Sequence, residues 1–119
     1  MYKISKKFAF SASHALSGLP ECHPCTRLHG HNYVVTIHLK SERLNDKGFV
    51  IDYHDLKPIK KYIDNTLDHR HLNDIMDPLN SSAENLAKML YDTFKPGFHQ
   101  LYAVEVSETP KTTAKYEPE

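Results

Sequence analysis

What the chain lacks narrows its class first. Lys plus Arg number 15 and Asp plus Glu number 15, so no net field draws it to nucleic acid or to a membrane surface. No apolar run approaches the roughly 20 residues a membrane helix needs. The opening residues lead into Phe8-Ala9-Phe10-Ser11 without the apolar core of a secretion signal. The expectation is a cytoplasmic protein with neither nucleic acid nor membrane as a partner. Cysteine is scarce: Cys22 and Cys25 stand alone as C-x-x-C. A zinc knuckle needs a second such pair, and none exists. A thioredoxin-like redox motif follows a strand and opens a helix, whereas a second strand follows here; a disulfide between the two is disfavoured in a reducing cytosol. There is no internal repeat, linker or low-complexity tract, so residues 1–119 read as one domain with a modest core.

What the chain has in excess is histidine, nine residues with no consecutive run that would mark a purification tag. Imidazole is the commonest metal ligand and the side chain that titrates nearest neutrality. His29 and His31 are the informative pair. The segment from His29 to Lys40 alternates as a strand, so residues two apart share a face and the two rings project side by side. Tyr33, Val35, Ile37 and Leu39 continue that face as apolar surface.

The rest of the chain follows in order. Residues 2–14 alternate, with Tyr2, Ile4, Phe8, Phe10, Ala12 and His14 on one parity and only Lys6 polar among them. Ser17 to Arg27 is a loop carrying Gly18, Pro20, Pro24 and both cysteines. Asn45-Asp46-Lys47-Gly48 is a turn, and Phe49-Val50-Ile51 a short extended piece. Asp52 or Asp55 can cap a first helix whose stripe is Leu56, Ile59, Ile63 and Leu67, ending near Asn65 to Leu67. Asp68-His69-Arg70-His71-Leu72-Asn73-Asp74 is dense in ionisable groups and has no helical period. Ser81-x-x-Glu84 has the form of a capping box before the stripe Leu86, Ala87, Leu90, Phe94. Tyr102, Val104 and Val106 alternate in a third long strand with Glu108 on their parity, and residues 112–117 form a short last strand. This ββααββ order predicts an α+β fold: an antiparallel four-stranded sheet with two helices on one face. Its open edges point to a homo-oligomer.

Candidate chemistry collects at the strand ends. His14, His29 and His31 make a three-imidazole set of the kind a catalytic zinc site uses, with a fourth position for water or substrate; imidazoles also suit iron, nickel or copper. Taken alone, His14 reads as a core histidine bonded to a carbonyl. Cys25 is the best nucleophile or base candidate, because a thiol beside a metal and a histidine can ionise at neutral pH. Asp68 can orient His69 and raise its proton affinity, making an acid–base pair; a solvated helix end is the plainer alternative. Glu108 can receive a planar nitrogen-rich ring through two parallel hydrogen bonds.

These pieces together resemble the 6-pyruvoyltetrahydropterin synthase / 6-carboxytetrahydropterin synthase family over nearly the whole chain. The resemblance is carried by Phe10-Ser11-Ala12-Ser13-His14, Cys25-Thr26-Arg27-Leu28-His29-Gly30-His31-Asn32-Tyr33, Gly48-Phe49-Val50-Ile51-Asp52-Tyr53, Leu67-Asp68-His69-Arg70-His71-Leu72-Asn73, Ser82-Ala83-Glu84-Asn85-Leu86-Ala87 and Glu108-Thr109, in that order. It implies Zn2+ on His14, His29 and His31, catalysis by Cys25 with Asp68 and His69, and a pterin ring anchored on Glu108. It implies trimers that close a barrel, stacked into hexamers, with active sites between subunits. Three residues separate Cys25 from His29, which is similar to the bacterial branch serving queuosine biosynthesis. That branch acts on 7,8-dihydroneopterin triphosphate and releases acetaldehyde and triphosphate. Cys22-His23-Pro24 departs from the family's pattern, and the resemblance assigns Cys22 no role.

Overall fold

The computed structural model describes residues 1–119. The alternation of residues 2–14 becomes strand β1, Tyr2–His14, and the alternation from His29 becomes β2, His29–Ser41. The two pair antiparallel along their whole length, from Tyr2 opposite Ser41 to His14 opposite His29. A 3₁₀ turn, Pro24–Thr26, lies in the loop between them. Strand β4, Leu101–Thr109, pairs antiparallel with β2, and β5, Thr112–Tyr116, with β4. Residues Phe49–Ile51 form no strand; they bend into the helical segment that follows.

The sheet has five strands, not four: with β3, Arg70–His71, at one edge the order is β3-β1-β2-β4-β5. The added strand is two residues long and runs parallel to β1 opposite Ala12 and Ser13, so the sheet is mixed. Two residues carry no readable period, which is why the pattern of the ionisable segment missed them. The same segment supplies a further one-turn helix, α2, Leu72–Met76, held by the buried pair Leu72 and Met76 at i, i+4.

The first helical stripe is correct in its residues and irregular in its backbone. A 3₁₀ turn, Tyr53–Leu56, capped by Asp52 accepting from the His54 N–H, leads into α1, Lys57–Tyr62. It ends in a π turn, Ile63–Leu67. Leu56, Ile59, Ile63 and Leu67 are all buried. The second long helix, α3, is Ala83–Phe94, and its cap is Ser82, whose side chain accepts from the Asn85 N–H, rather than Ser81. Ser81 is buried and committed elsewhere.

The helices cover one face of the sheet. There Phe8, Phe10, Tyr33, Val35, Ile37, Leu39, Val104 and Val106 meet Leu56, Ile59, Ile63, Leu86 and Leu90 in one cluster. Each fully buried aliphatic side chain contributes about 1.5–3 kcal/mol over an exposed one. Phe10 and Tyr33, cross-strand partners, stack at 4.9 Å with planes 7° apart. The expected parity of β4 fails at one point. The register slips between His38 and Leu39, leaving Tyr102 as an extra residue. Tyr102 therefore turns off the core and lies by His38, with the ammonium groups of Lys3 and Lys40 over its ring. Glu108, beyond the bulge, keeps the parity of Val104 and Val106.

Candidate metal centre and active site

The end of the β1–β2 pair gathers three imidazoles. His14 lies opposite His29 and Ala12 opposite His31, so all three rings fall on the helix-covered face. The rings meet edge-on, with centroids 4.5, 5.1 and 4.9 Å apart. One nitrogen from each lies within 4.8 Å of the others. Two rings are fixed from behind. His14 Nδ1 donates to the Ser81 carbonyl at 2.7 Å and His29 Nδ1 to the Arg27 carbonyl at 2.7 Å. A carbonyl only accepts, so in both rings Nδ1 carries the hydrogen and Nε2 presents its lone pair. Burial holds the His14 pKa below its ordinary value, a shift opposed by the Ser81 bond and the charge of Glu108 and reinforced by His29 and His31. His14 is thus a buried histidine on a carbonyl and a member of the triad at once.

The chemistry of this donor set fits a divalent metal. His14 Nε2 and His31 Nε2 are buried and have no hydrogen-bond partner. An unmet buried polar atom costs about 1–3 kcal/mol, and a cation accepting both lone pairs removes that cost. The Glu108 carboxylate reaches the same place: Oε2 lies 3.0 Å from His31 Nε2 and 3.7 Å from His14 Nε2, without hydrogen-bond alignment. Tyr33, next on the same face, is fully buried with its hydroxyl unpartnered. Burial, then the charge of Glu108, pushes its pKa upward and keeps the phenol protonated.

The cysteine loop is tied down by backbone groups. The Leu16 N–H donates to the Cys25 carbonyl at 2.8 Å, and the Cys25 N–H to His23 Nδ1 at 3.1 Å. Asn73 clamps Ala15 by donating to its carbonyl at 2.7 Å and accepting from its N–H at 3.0 Å. Asn80 does the same for Ser17. Cys25 is half-buried, Cys22 exposed, and both are free thiols.

Asp68 and His69 lie at the other side of β1. The π turn closes with the Asp68 N–H donating to the Ile63 carbonyl at 2.9 Å, which delivers Asp68 to the sheet edge. Its Oδ1 accepts from the Ser11 N–H at 2.9 Å, and the His69 N–H donates to the Ser11 carbonyl at 2.6 Å. Asp68 Oδ2 is 2.9 Å from His69 Nδ1, so the carboxylate and the imidazole are in contact. These contacts, the Ser11 bond foremost, hold the Asp68 carboxyl below its usual pKa. His69 sits at φ +59°, a left-handed conformation unusual for a residue with a Cβ and frequent at functional sites. Its side chain is 83% exposed and borders an open cavity of about 620 Å³ with Ser11, Ser13, Asn32, Arg70 and His71. No hydrogen bond or ion pair within the chain joins Asp68 or His69 to Cys25 or to the triad.

The structure therefore brings His14, His29, His31 and Glu108 together, while Asp68 and His69 form a pair of their own that shares its open cavity with His31. Residue patterning missed the carbonyls of Ser81 and Arg27, because a backbone acceptor leaves no mark in the side-chain pattern. It also missed the Asn73 and Asn80 clamps, whose one sign was an asparagine in the first turn of α2 and another just beyond it.

Comparison with known proteins agrees with this geometry. Residues 3–119 match the family described as 6-pyruvoyl tetrahydropterin synthase. The 6-carboxy-5,6,7,8-tetrahydropterin synthase of Synechocystis is 33% identical over 98% of this chain and 93% of its own. That of Haemophilus influenzae is 29% identical over 98% and 99%. The solved structure of Caenorhabditis elegans 6-pyruvoyl tetrahydropterin synthase superposes with a TM-score of 0.87 at 28% identity, covering 99% of this chain and 96% of that one. By the match of nearly its whole length, the chain belongs to the 6-pyruvoyl tetrahydropterin synthase family of pterin enzymes.

Proposed function

We propose that the protein is a zinc-dependent lyase converting 7,8-dihydroneopterin triphosphate to 6-carboxy-5,6,7,8-tetrahydropterin, acetaldehyde and triphosphate, in the cytoplasmic route to queuosine. The observation that carries this reading is the triad: two buried Nε2 atoms without partners, at one strand end of a family fold. The carboxy product is supported by the Synechocystis and Haemophilus relatives and by the three-residue interval between Cys25 and His29.

His14, His29 and His31 hold the zinc, which supplies Lewis acidity toward the substrate's side-chain hydroxyls. Glu108 receives the pterin ring through paired hydrogen bonds. Cys25, as thiolate, takes a carbon-bound proton, and His69, oriented by Asp68, returns or relays protons. The absence of any bond between Cys25 and the Asp68–His69 pair within one chain is consistent with a homo-oligomer in which a neighbour's pair completes each site. The open edges, β5 and most of β1, support the same assembly, a barrel of trimers or hexamers.

A second reading has the same residues eliminating triphosphate to a pyruvoyl product; the likeness to the Caenorhabditis elegans structure favours it. The two are separated by incubating the purified protein with dihydroneopterin triphosphate and identifying products by mass. Acetaldehyde with the carboxy product is expected; a pyruvoyl product overturns the first reading in favour of the second.

A further inference from the structure

We propose that Glu108 is a fourth metal ligand in the substrate-free protein and leaves the metal when the pterin ring arrives. The proposal rests on the metal-centre reading above and adds a second use for one carboxylate. Four ligands at roughly 2.0–2.2 Å around a tetrahedral ion lie about 3.3–3.6 Å from one another. The distances from Glu108 Oε2 to His31 Nε2 and His14 Nε2, 3.0 and 3.7 Å, bracket that separation. Neither nitrogen makes an aligned hydrogen bond to it, and at His14 the Nδ1 bond to Ser81 leaves Nε2 with its lone pair facing the carboxylate.

Position and freedom agree. Antiparallel pairing of Val34 with Ser107 puts Glu108 beside Tyr33 in the continuing register, on the face that carries the rings. Its oxygen makes no ion pair with His29, so completing a tetrahedral set requires the side chain to turn toward that ring. The side chain is 25% exposed and its only polar contacts are with His14 and His31, so rotation about its own bonds can bring it onto an ion or away from one. Giving both oxygens to a planar ring competes with holding an ion through Oε2, because one oxygen's charge is then shared between two partners. Ring binding therefore opens the fourth position, converting a closed site to one with room for a substrate oxygen.

The test uses Co2+ as a visible reporter of coordination in the purified full-length protein. Affinity is measured by competition with a chromophoric chelator for wild type, Glu108→Gln, Glu108→Ala and His31→Ala. Both Glu108 variants should bind Co2+ on the order of tenfold more weakly, with altered visible spectra, and His31→Ala should lose binding. Wild-type affinity and spectrum in both Glu108 variants, with His31→Ala empty, overturn the fourth ligand and leave the metal centre standing. Wild-type binding by His31→Ala overturns the metal centre itself. In a second arm 6-methylpterin, a ring without side-chain hydroxyls, is added to Co2+ protein until its fluorescence shows saturation. The wild-type spectrum should move to that of Glu108→Gln; an unchanged spectrum overturns the exchange.

Discussion

The triad and the Asp68–His69 pair lie on the two sides of β1 and are built on opposite plans. His14 and His29 are held by backbone carbonyls behind their rings, at the end of two long paired strands, and His14 is 1% exposed. His69 stands between a π turn and a two-residue edge strand, in a left-handed conformation, with its ring in the open. Such a triad is complete within one chain. The pair is anchored at its backbone and free at its reactive end, the arrangement expected of a group that serves a neighbour. Rigidity is placed where ligand geometry must be held, and exposure where a partner is to be met.

The largest test of this contrast is His31→Ala. Metal analysis should find the zinc stoichiometry lost, a heavier effect than the roughly 10–100-fold that removing a supporting group costs. Retained zinc would mean that the triad is not the metal site. Next is Cys25→Ala, which should lower turnover roughly 10²–10⁴-fold with zinc content unchanged. Mixing it under reassembly conditions with His69→Ala should restore part of the activity, because some interfaces then pair an intact Cys25 with an intact His69. No recovery at all would place the two residues in one chain's site.

Asp68→Asn comes third. It should reduce turnover roughly 10–100-fold while leaving zinc in place, since the pair is detached from the triad. Its pH counterpart has a definite sign. The Asp68 carboxyl titrates below its ordinary value of 3.8, so the Ser11 anchor is fully present above that value and is lost as pH falls below it. Protection of the Ser11 and His69 amides, with the intrinsic pH dependence of exchange divided out, should fall below about pH 3.8 and stay flat above it; protection already falling at pH 5 would contradict the anchor. The smallest effect is expected from Tyr33→Phe. Deleting an unpartnered buried hydroxyl should leave thermal stability within about 1 kcal/mol of wild type. A much larger loss would reveal a hidden bond, and with it a less independent triad.

How much of this was legible in the residues differs by element. The two long strands, the Leu56–Leu67 and Leu86–Phe94 stripes and the shared face of His29 and His31 follow from side-chain period alone. The bulge at Tyr102 was not legible, since one inserted residue reverses a parity without altering composition. Nor was the π turn, because Ile63 and Leu67 satisfy an α period equally well. Ser81 and Ser82 are adjacent and chemically alike, and only packing against His14 assigns one to the ring and the other to the helix cap.

The sequence by itself determined the face on which the histidines lie, the α+β order of elements and the membership of the family, because these depend on residue type and spacing. The tertiary structure decided what sequence spacing cannot carry. It supplied the carbonyls that select the tautomers of His14 and His29, brought Glu108 to His14 and His31, and left Asp68 and His69 without a bond to Cys25. Those outcomes depend on backbone groups and on strands far apart in the chain, whose relation is set only when the sheet closes over its core.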